Sequence, residues 1–414
     1  MKVHAAIAIS FLALIAGSGG SSLSNAPGSF LSDFNPTFAR LEEVQRAANQ
    51  CSSGEGWRDG ILIWWETWSL DQSCGAQPDD WRCLRTRPAF ENALRSVPKT
   101  RCESRLNHLS SELFERDLEA LYREELPEKI WPVVGSLRTG QANLVAVQFD
   151  MPAGRLILVD PNLRVFHREI VRLVLDLIAM NAGGDGVELK LDPLRLVDQL
   201  SAHPERLEYF KWLISSAATG KPLPQGLGTA TLPKRSDDDA ERTAIHAELV
   251  DMLSDEGINF LIAHEYAHSF LGHQVLDLAE FLRAPTSRQN VEQFSNQFRN
   301  ELFADDVGFK MWIRVLSKHR YRSGTAAIVS VAPEIMMVSL RLIELERARL
   351  GVVGTGSHPP VQVRRWRLRE RMKILGLPDG TEFYSVSFLV AAITMWTKVN
   401  GLSMEDMERI VKES

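Results

Sequence analysis

Apolar residues recur three and four positions apart along most of this 414-residue chain, and that spacing predicts helices. The N-terminal third carries two such runs, Phe38–Ala48 and Ser110–Glu125. The middle carries Val165–Met180, Pro193–Leu200 and Arg206–Ala217, followed by an amphipathic helix holding His246. Gly257 then opens a denser run, Ile258, Phe260, Leu261, Ile262, Phe270 and Leu271, which predicts a buried helix. A second long helix is predicted from about Ser287 to Lys318, and the C-terminal third adds Thr325–Leu350, Val361–Leu375, Val386–Val399 and Ser403–Val411. Strand signals are confined to a hairpin around Leu156 and to Val187–Leu191. The expected fold is therefore mainly α, of the α+β kind, with a small sheet.

Where the periodicity lapses, the chain divides. Lys2, the apolar run Ala5–Ala16 and the small residues Gly17 to Ser22 have the layout of a secretory signal peptide, with cleavage expected after Ser18. Residues 19–32 then read as a flexible linker, 33–127 as a helical N-terminal region, and 128–414 as the main domain with a helical insertion at 165–240. The Ala5–Ala16 run is too short to cross a bilayer, Ala326–Leu342 is broken by Pro333 and Glu334, and Val386–Trp396 is also too short. The expectation is an exported protein, periplasmic or secreted, with no stable membrane span. The Pro/Gly-rich stretch Lys221–Lys234, followed by Asp237, Asp238 and Asp239, has no apolar period and reads as a surface connector in preference to a lid or plug.

Export changes the meaning of the cysteines. Cys51, Cys74, Cys83 and Cys102 are the only four, and an even number in an exported chain predicts two disulfides in one of three pairings. A second zinc site is the competing reading, but no pair has the tight C-x-x-C spacing. The same region holds Trp57, Trp64, Trp65, Trp68 and Trp81, which read as core of a small cross-linked unit in preference to a ligand platform. A net charge of −6 and a pI near 6.0 argue against nucleic acid as a partner. The basic stretch Arg364 to Arg371 reads as a solvated helix face.

Chemistry enters with His264-Glu265-Tyr266-Ala267-His268. Two histidines four residues apart on a helix project from one face and can reach one metal ion, while the intervening glutamate can take a proton from metal-bound water. A third ligand is available on the next long helix, where Glu301 would complete a two-His, one-Glu set that leaves a coordination position open. Asp305, one turn beyond, can accept the second ring N–H of a ligand histidine, whereas Asp306 points away from Glu301's face. One Zn2+ per chain is expected.

The spacing of His264, His268 and His273, followed by E-x-x-A-D from Glu301 to Asp305, resembles the M48-type gluzincin metallopeptidases. Ser357-His358-Pro359-Pro360 with Arg364 is similar to that family's late H-P-P-x-x-x-R element, and Met151 to Val159 resembles its active-site hairpin more loosely. The resemblance implies a zincin-like domain that binds protein or peptide substrate in extended form at a sheet edge. It implies Glu265 as general base, with His358 and Arg364 holding the substrate carbonyl or its oxyanion. His273 lies off the ligand stripe and reads as structural, and His246 reads as a surface or supporting residue. The expected activity is zinc-dependent peptide hydrolysis on exported or envelope proteins. The alternatives are a zinc-stabilised binding or chaperone-like protein, and a hydrolase of a non-peptide amide or lipid.

Overall fold

The computed structural model describes residues 33, 35–48, 50–51, 99–103, 105–125, 131–139, 142–150, 153–183, 186–190, 196, 200–221, 223, 240–272, 276–277, 291–318, 327–352, 358–374 and 381–414. The expected signal peptide and linker (1–32), the five tryptophans of the N-terminal region, Cys74, Cys83, Met151, Pro152, His273, most of Pro193–Leu200 and nearly all of 221–239 lie outside the described residues.

The fold is mainly helical with a small sheet. Helix α1 (Pro36–Ala47) starts where Asn35 caps it and Pro36 presets the first turn. Helix α2 (Arg105–Tyr122) leads into the sheet, made of β1 (Val133–Ser136), β2 (Leu144–Asp150), β3 (Ala153–Val159) and the two-residue β6 (Leu276–Asp277). The strand order is β1-β3-β2-β6, with β2 and β3 an antiparallel hairpin and β1 parallel to β3. Residues 156–159 of β3 are all buried because both faces of the sheet are covered. Leu156 and Leu158 join Val147 against Leu41 and Val44 of α1, whereas Ile157 and Val159 point into the main core with Phe114 and Leu118 of α2. Between the described residues, the N-terminal region thus shares its apolar side chains with the rest of the chain. Cys51 and Cys102 form a disulfide beside α1, with Cα atoms 4.4 Å apart.

Asp160 caps α3 (Pro161–Leu175), taking the backbone N–H of Asn162. A second hairpin, β4 (Ala179–Gly183) with β5 (Gly186–Lys190), follows. The helix expected to reach Met180 therefore stops at Leu175, and the stretch 165–240 is not purely helical. After α4 (Pro204–Thr219) comes α5 (Ala240–Leu271), a single helix of 32 residues and about 48 Å. His246 and His264 were expected on separate helices; both lie on α5, and Gly257 sits in its middle. Nearly every described side chain from Met252 to Ser269 is buried, because α2, α3, α6 (Val291–Leu316) and α7 (Ala332–Leu350) pack around it.

Helix α7 begins at Ala332, later than the apolar run suggested, because Pro333 belongs in a first turn. Helices α8 (Val361–Ile374), α9 (Thr381–Val399) and α10 (Met404–Glu413) complete the described fold; Ser403 and Asp406 form a capping box on α10. No helix among the described residues is long and apolar enough to cross a membrane. The arginines of α8 do not form the solvated face expected of them. Arg364 and Arg365 are buried, and Arg367, Arg369 and Arg371 are ion-paired to acids on α6 and α7.

Candidate metal centre

Helix α5 places His264 and His268 one turn apart on the side facing α6. Its opposite side is held by aromatic packing: Tyr266 lies 6.1 Å from Trp131 and donates its hydroxyl to the Pro132 carbonyl at 3.1 Å. Helix α6 is fastened alongside by Trp312, whose indole N–H reaches Glu256 of α5 at 2.9 Å. Glu301 of α6 then faces both histidines. His264 Nε2 and His268 Nε2 are 3.1 Å apart, and each lies 3.3 Å from an oxygen of Glu301.

Those separations test whether a metal fits. A tetrahedral ion with bonds of about 2.0 Å holds its ligand atoms about 3.3 Å apart. The two nitrogens are near that spacing from each other and from the Glu301 carboxylate, His264 facing Oε2 and His268 facing Oε1, and the three residues are the one group among the described residues that could hold a metal ion. All three residues are buried, so their directions are fixed by packing. Three ligands leave room in a four-coordinate shell for water or substrate.

Glu265 is buried next to the first histidine, with an oxygen 4.0 Å from His264 Nε2. It is near enough to serve the metal's open position without being one of the three donors. Asp305 lies 3.0 Å from His264 Nδ1. A carboxylate only accepts, so this contact assigns the proton to Nδ1 and frees Nε2 as a ligand atom. Arg364 completes the chain: its Nε and Nη2 donate to Asp305 at 2.8 and 2.7 Å. His358 caps the other side, its Nδ1 2.6 Å from Glu301 Oε2, and its side chain is half-exposed.

The guanidinium of Arg364 is buried and turned through Nε and Nη2 onto Asp305, which in turn contacts His264. His358 retains an exposed face beside the donor set. Asp306 points away from the centre, where Arg367 and Arg371 both clamp it at 2.6 Å. His246 is 3.0 Å from Asp176 at the far end of α5, remote from the ligands in sequence and in contacts.

The electrostatics favour a cation. Burial and the positive charge of Arg364 both oppose protonation of His264, yet Asp305 and Glu301 raise its pKa to about 9. Burial pushes Glu301 up, but the charge of His358 and hydrogen bonds from all three histidines hold it far below the carboxylate range. Asp305 is pulled down to about 2, with burial overcome by Arg364. The same carboxylates that hold a proton here can hold a divalent ion in its place.

One contact and one strand position were not anticipated. Arg155 of β3 reaches the His268 carbonyl at 3.5 Å, tying the sheet to the ligand helix. No linear spacing links residues 113 positions apart. Strand β3 is also interior to the sheet, with β1 and β2 on its two sides, so it offers no free edge to a peptide. No family model matches the chain, and neither a curated protein nor a solved structure does.

Proposed function

We propose that this chain is a zinc metallopeptidase of the M48-like gluzincin type, acting on exported or envelope proteins. The observation that carries the reading is the convergence of two imidazole nitrogens and one carboxylate at tetrahedral spacing, with Glu265 beside them. When bound, zinc supplies Lewis acidity and makes water nucleophilic near neutral pH. Glu265 takes the proton of the attacking water and passes it to the leaving amine. Asp305 keeps His264 in the ligand tautomer, and Arg364 neutralises Asp305. His358, half-exposed beside Glu301, donates to the oxygen that develops charge on the scissile carbonyl. The Cys51–Cys102 disulfide supports an oxidising compartment.

The test is zinc content and casein cleavage of the purified protein beside Glu265→Gln. The expected result is about one zinc per chain in both and chelator-sensitive cleavage in the wild type alone. Absence of zinc from the wild type would overturn the metal assignment. Zinc in both proteins with cleavage in neither would turn the reading toward a zinc-stabilised binding protein.

A further inference from the structure

The ligands come from two helices, so their meeting depends on how closely α5 and α6 approach. Glu301, Ala304, Asp305 and Gly308 share one face of α6, at positions i, i+3, i+4 and i+7. Ala304 and Asp305 are fully buried there. At Gly308 the contact is backbone to backbone: a Cβ built on it would lie 2.7 Å from His264 Cα, 2.8 Å from His264 N and 3.0 Å from the Ala263 carbonyl carbon. The atoms in the way are the main chain of the first ligand residue itself, which no rotamer change can move aside.

We propose that Gly308 is a positioning residue for the metal centre, setting the α5–α6 separation at which Glu301 shares an ion with His264 and His268. The proposal rests on the metal-centre reading and assigns a residue outside the donor set. Carbon atoms pack at about 3.5 Å or more, so a methyl group at 308 forces the helices apart by roughly 0.8 Å at that point. Metal–ligand distances tolerate only about 0.2 Å. Glu301 has little freedom to absorb the difference, because it is buried and His358 holds its Oε2. Asp305, one turn from both residues, would be drawn from His264 Nδ1 by the same movement.

Gly257 supplies the control. It lies on α5, likewise at a helix crossing, and a Cβ there would meet His167 Nε2 at 2.5 Å and Met336 Cβ at 3.3 Å. Those atoms belong to α3 and α7, not to the ligand set. Substitution at either glycine overfills a core, but only one of them opens the ligand-bearing pair of helices.

The experiment measures zinc affinity by chelator competition, and cobalt absorption as a reading of coordination number, on the full chain. The proteins are wild type, Gly308→Ala, Gly257→Ala, Glu301→Gln and the double variant Gly308→Ala/Glu301→Gln, with circular dichroism to show that each is folded. Gly308→Ala should bind zinc about 10- to 100-fold more weakly, the range seen when groups supporting a ligand are lost. Its cobalt spectrum should move toward that of Glu301→Gln. Gly257→Ala should lose stability at unchanged affinity. The double variant should bind scarcely worse than Glu301→Gln, since the two changes act on one ligand. Wild-type affinity in Gly308→Ala overturns the proposal while leaving the metal centre intact. So does equal weakening by Gly257→Ala, full additivity in the double variant, or failure of Gly308→Ala to fold, each of which makes position 308 a general packing residue. No metal bound by the wild type removes the metal centre and the proposal together.

Discussion

A histidine near each end of α5 meets an aspartate and an arginine from other elements, and only one of the two belongs to a group that could hold a metal ion. Near the N-terminal end, His246 lies 3.0 Å from Asp176, with Arg206 3.8 Å from the same carboxylate. Near the C-terminal end, His264 lies 3.0 Å from Asp305, with Arg364 at 2.7 Å. In both places burial pushes the aspartate up, and the neighbouring cations hold it below its ordinary value. The difference lies on the far side of the imidazole. His264 turns its second nitrogen to His268 and Glu301, whereas the described surroundings of His246 provide no comparable donor set. A His–Asp–Arg trio is thus a way to bury charge on a helix, and chemistry begins only when a second cluster of donors meets the remaining nitrogen.

The contrast breaks most readily at Glu301. Glu301→Gln removes the anionic ligand and should lower zinc affinity at least 100-fold, with cleavage lost in step; metal titration and a casein assay read both. His246→Gln should leave zinc and cleavage untouched. Second in size is Arg364→Met, which strands the Asp305 carboxylate in the core and should cost about 3–5 kcal/mol of stability, measured by urea unfolding. The matched change, Arg206→Met, involves a longer and partly exposed pair and should cost about 1 kcal/mol or less.

A third histidine sharpens the comparison. His167 of α3 is fully buried, with Ser339 Oγ 2.8 Å from Nδ1 and no carboxylate partner among the described residues, and burial lowers its pKa to about 3 against the opposing effect of a backbone contact at Leu253. Its folded pKa is below the unfolded value of about 6.5, so the unfolded chain takes up a proton first as pH falls. Stability from this group is complete above pH 6.5 and is lost progressively toward pH 3. The expected loss is at most a few kcal/mol. Unfolding curves across that window should be flatter for His167→Gln than for the wild type. The smallest effect should be that of His246→Gln on stability, about 1 kcal/mol, from the loss of its contact with Asp176.

The donor set was legible because its members lie within single turns of two long helices: His264 to His268, and Glu301 to Asp305. Helical periodicity is local, and so is the geometry it implies. What escaped the sequence was long-range. The resemblance marked Arg364 as a contact of the substrate carbonyl, and only the approach of α6 shows that its guanidinium meets Asp305. Strands β1 and β6 have four and two residues, too few for alternation to register, and exist because β3 and β2 offer them partners. The strand residues of β3 were visible, but their interior position depends on β1. Likewise, the continuity of α5 across Gly257 is decided by packing on α3 and α7, since glycine by itself weakens a helix.

The Cys51–Cys102 bridge has a consequence for how the molecule breaks. It joins positions 51 residues apart, and both ends are further moored, Gln50 donating to Ser136 Oγ at 2.9 Å and Thr100 to Gln45 at 2.5 Å. A cut anywhere between the two cysteines would therefore yield two fragments that still travel as one. Such a nicked chain should migrate as a single band on a non-reducing gel and separate only after reduction. A cut in that interval, whatever its source, would leave the α1–sheet contact and the group of His264, His268 and Glu301 in one piece.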